Sequence, residues 1–297
     1  MAGMESWSPV MQTVPTPPKR LRAEDLRQMK GKTPIVSLTA YTASVAERLD
    51  NHAELLLVGD SLAMTIYGLD STVGISLDTM IAHGAAVVRG SKRACIAIDL
   101  PAGTYEESAE QAVETARRAV EETGAEAVKL EGGVAMADQI AAIVAAGIPV
   151  FGHIGLLPQH AEGPGGFRVQ GRDDDAFQAI LEDAKAVEAA GAFATVVEAT
   201  VEPLARAITE TISIPTIGIG ASAACDGQIL VVDDILGLYS AFKPKFVKRY
   251  VQLGEAVERA AAEYAADVRA RRFPGPDHVY GDGPGAAAKD ETVKGAL

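Results

Sequence analysis

The sequence predicts a (β/α)8 barrel, and three features of its 297 residues predict it. Eight short apolar runs recur along the body, helical periodicity appears between several of them, and one phrase of helix end, glycine and strand start repeats. Near-continuous apolar runs suit parallel strands covered on both faces. Alternation of such strands with amphipathic segments gives either a closed barrel or a doubly wound open sheet. The open sheet wants a glycine-rich phosphate turn after its first strand, and Thr39-Ala40-Tyr41-Thr42 is not one.

In order, the runs are 34–40 (PIVSLTA), 54–59 (ELLLVG), 94–100 (ACIAIDL), 125–130 (AEAVKL), 149–156 (PVFGHIGL), 192–198 (AFATVVE), 215–221 (PTIGIGA) and 228–233 (QILVVD). Ala109, Ala112, Val113, Ala116 and Val120 form one helical stripe, and Phe177, Ile180, Leu181, Ala184 and Val187 another. Gly124, Gly147 and Gly191 each precede a strand, where a helix end needs positive φ. Residues 1–19, with Pro9, Pro15, Pro17 and Pro18, read as a disordered arm, and 274–297 as a mostly mobile tail. No composition break interrupts 20–273, so one catalytic barrel is expected there.

Twenty-seven basic against forty acidic residues give a net charge of −13 and a pI near 4.9. That field repels phosphate backbones and anionic lipid, which argues against nucleic-acid and membrane-surface partners. No apolar run approaches the ~18 residues of a membrane span. Cys95 and Cys225 stand alone, and the first residues lack a signal-peptide pattern, so a soluble cytoplasmic protein with reduced thiols is expected.

In a parallel barrel, chemistry collects at the C-terminal strand ends. Read there, the sequence yields Asp60, Asp99, Lys129, Glu131, His153 and Glu198. Charged groups ending apolar strands are costly unless paired, hydrogen-bonded or metal-bound. All but Glu198, which ends a buried strand with no adjacent base in sequence, have a bland reading alone. Asp60-Ser61 is a helix-cap pattern, Asp99 suits a turn hydrogen bond, Glu131 shares a strand face with Lys129, and His153 suits a satisfied core histidine. Together, Asp60, Asp99 and Glu131 supply oxygen ligands only, which favours Mg²⁺ over zinc. Neither cysteine has a flanking base, so a thiol nucleophile is disfavoured. Ile217-Gly218-Ile219-Gly220-Ala221 reads equally as a phosphate loop or as tight backbone packing. The basic, glycine-rich stretch within 157–173, with Arg168 and Arg172, reads as a lid.

The strand-end residues in order resemble the ketopantoate hydroxymethyltransferase family, from about Leu26 to Tyr280. The phrases that carry the resemblance are LTAYTAS, VGDSLAMTIYG, STVGIS, IDLPAGTY, VKLEGG, GHIGLLPQ, GGFRVQGR, VVEAT, IPTIGIGA, CDGQILVVDDILG and PKFVKRY. The resemblance implies a barrel of the phosphoenolpyruvate-mutase-like group that works in pantothenate and coenzyme A synthesis. It implies one-carbon transfer from 5,10-methylenetetrahydrofolate to α-ketoisovalerate (3-methyl-2-oxobutanoate), giving ketopantoate. Asp60 and Asp99 match the family's metal-ligand aspartates, and Glu131 the acid completing the Mg²⁺ environment. Asp60, Ser61, Asp99 and Lys129 match positions at the keto acid, Glu198 matches the proton acceptor, and His153 a neighbour of the site. A homodecamer is likewise implied. Ala199-Thr200 departs from the cysteine and aliphatic residue that many relatives carry after the glutamate.

The chemistry is coherent with this. A chelated α-keto acid loses its methine proton to Glu198, the metal stabilises the enolate as a Lewis acid, and the carbon attacks the folate's methylene. A lyase or mutase of the same barrel group is the first alternative, and a non-catalytic binding barrel the second. The former commonly uses a cysteine loop absent here; the latter has no use for a base.

Overall fold

All eight apolar runs form strands, and these close into one parallel barrel in chain order. The computed structural model describes residues 19–161, 168–238 and 243–280. The strands are β1 (Ile35–Thr39), β2 (Leu55–Val58), β3 (Cys95–Asp99), β4 (Ala127–Lys129), β5 (Val150–Gly155), β6 (Ala194–Glu198), β7 (Thr216–Ile219) and β8 (Gly227–Leu230). The ring closes between β1 and β8, in register from Ile35↔Gly227 to Leu38↔Leu230.

Around it run α1 (Ala23–Arg27), α2 (Ala43–Leu49), α3 (Leu62–Thr65), α4 (Leu77–Gly90), α5 (Ala109–Thr123), α6 (Ala137–Ala145), α7 (Asp174–Ala189), α8 (Glu202–Thr211) and α9 (Val232–Leu236). Thr42, Ser76, Ser108 and Asp173 start α2, α4, α5 and α7 by accepting an amide hydrogen bond three residues on. The expected glycine helix ends are present, with φ of 75° at Gly124, 84° at Gly147 and 95° at Gly191.

Three details differ from the sequence expectation. The eighth strand stops at Leu230, not 233, because the Val232 amide turns onto Thr39 Oγ1 (3.0 Å) and Asp233 and Asp234 open α9. The buried face of α5 is Ala112, Thr115, Ala116, Ala119 and Thr123, with Val113 and Val120 on its flank. Small side chains there let the helix sit close to the barrel. The outer faces of β1 and β8 alternate instead of being covered, leaving Val36 and Gln228 exposed. No helix stands between β7 and β8; residues 220–226, at about 3.3 Å each, suffice to return beside a four-residue strand.

Alternation along the strands sorts the interior into levels. Leu26 and Ala23 of α1 plug the lower end against Ile35, Leu55, Cys95, Ala127 and Phe151. On β3, Cys95 and Ala97 lead up the same inward row to Asp99; on β4, Ala127 leads to Lys129; on β5, Phe151 leads to His153; on β6, Ala194 and Val196 lead to Glu198. One inward row per strand therefore changes from apolar to charged at the upper mouth.

Two carboxylates lock the lower end. Asp50 accepts from Ser91 Oγ (2.5 Å) and from the amides of Lys92, Arg93 and Ala94 (each 2.9 Å). Asp226 accepts from Lys30 Nζ (2.8 Å) and from the amides of Gly31 and Thr216 (each 2.9 Å), tying the chain before β1 to the β7–β8 turn. Contacts group the described residues up to Ile235, with Lys243–Lys248, as one compact unit, and 236–238 with 249–280 as a second. The second contains α10 (Leu253–Arg269), whose Tyr264 ring meets Phe273 at 5.4 Å. Most of the expected arm and tail lies outside the described residues. Among the described residues no helix is long and apolar enough to cross a membrane.

Burial pushes the Asp50 carboxyl up, but the hydrogen bonds from Ala94, Ser91, Lys92 and Arg93 outweigh it and hold the group below the usual carboxylate range. The unfolded chain, near pKa ~3.9, then binds more protons over that window, so the stabilisation is full above about pH 5 and fades as pH falls through the depressed value. Urea unfolding of Asp50→Asn from pH 7 down to 3 is expected to show a lower plateau and a shallower acid decline than wild type. Parallel acid limbs would refute this.

Candidate active site

The mouth gathers the strand-end residues around a buried ion pair. Asp99 and Lys129 are register partners on β3 and β4, and Lys129 Nζ meets Asp99 Oδ1 at 2.6 Å with both side chains buried. The ammonium's salt-bridge partner is thus across the strands, not Glu131 two residues along. Asp99 Oδ2 also accepts the Asp60 amide at 3.3 Å, which binds the end of β2 to the end of β3.

Asp60 does not cap a helix. Ser61 occupies the N-cap position of α3 without a side-chain cap bond; its hydroxyl pairs instead with the buried Tyr41 hydroxyl at 2.8 Å. Asp60 Oδ2 accepts from Gln159 Nε2 at 2.9 Å. Gln159 sits in a 3-10 turn after β5, Pro158–His160, and its backbone amide reaches Glu131 Oε2 at 3.0 Å. Glu131 stands two residues past the end of β4, with its amide donating to Tyr105 Oη at 3.2 Å.

His153 is not a satisfied core histidine. Its Nε2 lies 3.1 Å from Glu198 Oε2 and its Nδ1 3.5 Å from Glu131 Oε1, yet neither nitrogen nor Glu131 Oε1 has an aligned hydrogen bond. Glu198 ends β6 with its side chain 15% exposed, open to the mouth where the other acids are closed off. Its position is fixed from behind. The next residue, Ala199, holds a left-handed φ of 47°, its amide on Ile219 O and its carbonyl accepting the Gln170 amide, each at 2.8 Å. A side chain at Gly155 would collide with the Glu198 carbonyl.

Electrostatics follow from burial. Asp60 is pushed well above the usual carboxylate range by burial and by its neighbours Asp99 and Glu131. Burial raises Asp99 as well, against the pull of Lys129. Burial works against the Lys129 charge, but Asp99, Glu131 and Asp60 overcome it and hold the ammonium above its ordinary value. For Glu131 burial is outweighed by the rings of His160 and His153, the Lys129 charge and the Gln159 amide, which keep it low. His160, with Nδ1 3.7 Å from Glu131 Oε2, is raised by that carboxylate.

Three carboxylates facing one ammonium leave two negative charges uncompensated when all are ionised. Among the described residues, no three His, Cys, Asp or Glu side chains converge into a ready-made metal cage. The donor set nevertheless fits a hard divalent cation held by one or two carboxylates, with water and substrate completing its shell, which is how Mg²⁺ is usually bound. Oxygen donors only, raised aspartates and an unpartnered buried Glu131 Oε1 all agree with that.

Other sequence candidates fall away from the mouth. Cys95 starts β3 at the lower end, where burial pushes its thiol up. Cys225 is buried, and both cysteines are free. The glycines of 217–221 serve close packing, since a Cβ at Gly218 would meet Cys225 and Gln228 at 3.1 Å and one at Gly220 the Phe246 ring at 2.7 Å. Within the expected lid, 162–167 lies outside the described residues; beyond it Gln170 bridges to Thr200 and Arg172 is exposed. Sequence reading missed Tyr41, Tyr105, Gln159 and His160. Tyr105 and Gln159 belong to the phrases IDLPAGTY and GHIGLLPQ, but nothing in their spacing marks a neutral group that reaches back to the acids.

Removing Lys129 leaves buried carboxylates without their ammonium. Lys129→Met is expected to lower unfolding stability by about 3–5 kcal/mol in denaturant titrations at neutral pH. A loss below ~1 kcal/mol would mean that the pair is open to solvent.

A sequence model of the ketopantoate hydroxymethyltransferase family matches residues 20–276. Two relatives named 3-methyl-2-oxobutanoate hydroxymethyltransferase are those of Brucella suis, 57% identical over 92% of this chain and 100% of its own, and Rhodospirillum centenum, 60% identical over 88% and 95%. Solved structures with the same fold include phosphoenolpyruvate phosphomutase from Streptomyces platensis, with a TM-score of 0.55 at 14% identity over 92% of this chain and 95% of that one. Another is 2,3-dimethylmalate lyase, a member of the PEP mutase/isocitrate lyase superfamily, with a TM-score of 0.52 at 16% identity over 92% and 96%. At such identities the structures speak for the barrel, while the sequence relatives speak for the enzyme: this chain belongs to the ketopantoate hydroxymethyltransferase family.

Proposed function

We propose that the protein transfers a hydroxymethyl group from 5,10-methylenetetrahydrofolate to 3-methyl-2-oxobutanoate, giving 2-dehydropantoate for pantothenate and coenzyme A synthesis. The observation that carries the reading is the position of Glu198. This partly open carboxylate stands one imidazole ring away from a closed set of acids that face a single ammonium. The relatives' shared name supplies the acceptor.

Asp60 and Asp99 would hold Mg²⁺ with Glu131 behind them, and the ion, when bound, supplies a Lewis acid for the keto acid's oxygens. Everything else falls to the chain. Lys129 offsets the charge an anionic keto acid brings to an acidic mouth. The Ser61 hydroxyl, oriented by Tyr41, binds the same substrate. Glu198 takes the methine proton, and the electron pair of that C–H bond forms the new bond to the folate's methylene carbon. That attack breaks one of the methylene carbon's two bonds to folate nitrogen, water supplies the hydroxyl oxygen as the second breaks, and the methine proton and one water proton end on the two nitrogens. His153 sets the Glu198 carboxylate from the side. The same reading extends to a cytoplasmic homodecamer, which sedimentation equilibrium of the full chain tests.

Proton NMR of 3-methyl-2-oxobutanoate in D₂O tests the base and the metal together. The expected result is Mg²⁺-dependent loss of the methine signal, slowed about 10²–10⁴-fold in Glu198→Gln. Persistence of the methine with wild type while pyruvate or oxaloacetate exchanges would overturn the substrate assignment. Arg168 and Arg172 are assigned to the folate's carboxylates. The Arg168→Ala, Arg172→Ala double variant is expected to raise the folate KM and leave methine exchange intact; unchanged folate affinity would sink that assignment.

A further inference from the structure

Gln159 stands apart from the other polar residues at the mouth because both its amide hydrogens, its amide oxygen and its backbone N–H are all engaged between strand ends. Its amide nitrogen donates to Asp60 Oδ2 at 2.9 Å and to the Leu100 carbonyl at 3.0 Å, and its amide oxygen accepts from Tyr105 Oη at 2.7 Å. Its backbone amide donates to Glu131 Oε2 at 3.0 Å. One buried residue following β5 thus touches the ends of β2, β3 and β4.

The orientation of that amide is forced. Reversing it would set the oxygen against the Asp60 carboxylate and the Leu100 carbonyl, three acceptors without a proton between them. Tyr105 fixes it further, because its hydroxyl also takes the Glu131 amide at 3.2 Å. Asp60 Oδ2 and Glu131 Oε2 are therefore held at a set distance by a neutral group. No charged side chain could do this without altering the balance around Lys129. A lysine would cancel one of the two uncompensated negative charges, and a glutamate would add a fourth carboxylate to a cluster whose aspartates are already pushed up.

We infer that Gln159 is a positioning residue for hydroxymethyl transfer: through Tyr105 and Leu100 it fixes the separation and rotamers of Asp60 and Glu131, so that Asp60 presents its carboxylate to the mouth. This rests on the reading of Asp60 as a ligand of a divalent cation. The structural alternative is that Gln159 merely fills space and satisfies buried acceptors. The two differ in what extra Mg²⁺ does.

The test uses the full chain and compares wild type, Gln159→Met and Tyr105→Phe. Mg²⁺ is titrated calorimetrically in the presence of 3-methyl-2-oxobutanoate, and the keto-acid KM and kcat are measured at limiting and saturating Mg²⁺, with Tm alongside. Loss of an orienting partner typically weakens metal binding about 10–100-fold, and Gln159→Met is expected to fall in that range. Its keto-acid KM should rise at limiting Mg²⁺ and recover at saturation. Tyr105→Phe should move both quantities the same way by a smaller factor. Unchanged Mg²⁺ affinity and KM in both variants would overturn the inference. So would a fall in activity and Tm that saturating Mg²⁺ leaves untouched. If Gln159→Met does not fold, Tyr105→Phe decides alone, since it removes one hydroxyl and keeps the amide. A wild-type enzyme that neither binds Mg²⁺ nor depends on it would overturn the metal reading and this inference with it, an outcome distinct from intact wild-type binding with indifferent variants.

Discussion

The 2.6 Å contact between Lys129 and Asp99 is the constraint around which the mouth is arranged. Burying either charge alone would cost several kcal/mol, and burying both is tolerable only at close range with further hydrogen bonds. The barrel meets that condition through register. β3 and β4 pair Asp99 directly with Lys129, and strand alternation turns both inward. Once the ammonium is committed there, Asp60 and Glu131 must find neutral or imidazole partners. They find Gln159, itself held by Tyr105, and the rings of His153 and His160. The mouth is thus where the fold solves an electrostatic problem only in part, with negative charge left over beyond the Lys129–Asp99 pair.

The division of labour between the two barrel ends follows the same logic. At the lower end Asp50 and Asp226 are fully answered. Asp50 lies among three amides and a hydroxyl, and Asp226 among an ammonium and two amides, with α1 as an apolar plug. At the upper end, polar atoms of Glu131 and His153 remain without aligned partners and Ala199 keeps a left-handed backbone. Unsatisfied groups and backbone strain cost stability and persist where the surrounding structure over-determines them.

Much of this was legible in the sequence because its signals were local. The eight apolar runs, the glycine stops at Gly124, Gly147 and Gly191, and the charged ends of otherwise apolar strands each need only a few neighbouring residues to be read. Asp60, Asp99, Lys129, Glu131, His153 and Glu198 all reach the mouth for that reason. What was not legible depends on distance across the ring. Whether Lys129 pairs with Asp99 or Glu131 is a matter of register between strands thirty residues apart. That Gln159 reaches Asp60 follows from a turn ninety-nine positions away. The end of β8 was misjudged because Thr39 of β1 captures the Val232 amide, a contact no window on 228–233 contains.

The closure between β1 and β8 has a kinetic side. Every other strand pair joins neighbours in the chain, but this one joins Ile35 to Gly227 and can form only after the intervening strands have been brought into an arc. Loop-closure entropy grows slowly with length, so the penalty is bearable, yet it is incurred before the pairing gives anything back. The Asp226 clasp on Lys30 and Gly31 straddles that seam, where Val36 and Gln228 are exposed. The seam is accordingly the one strand pairing of the ring that cannot form between neighbours in the chain. Protection of the β1 and β8 amides from solvent exchange should therefore fall below that of β3 to β6.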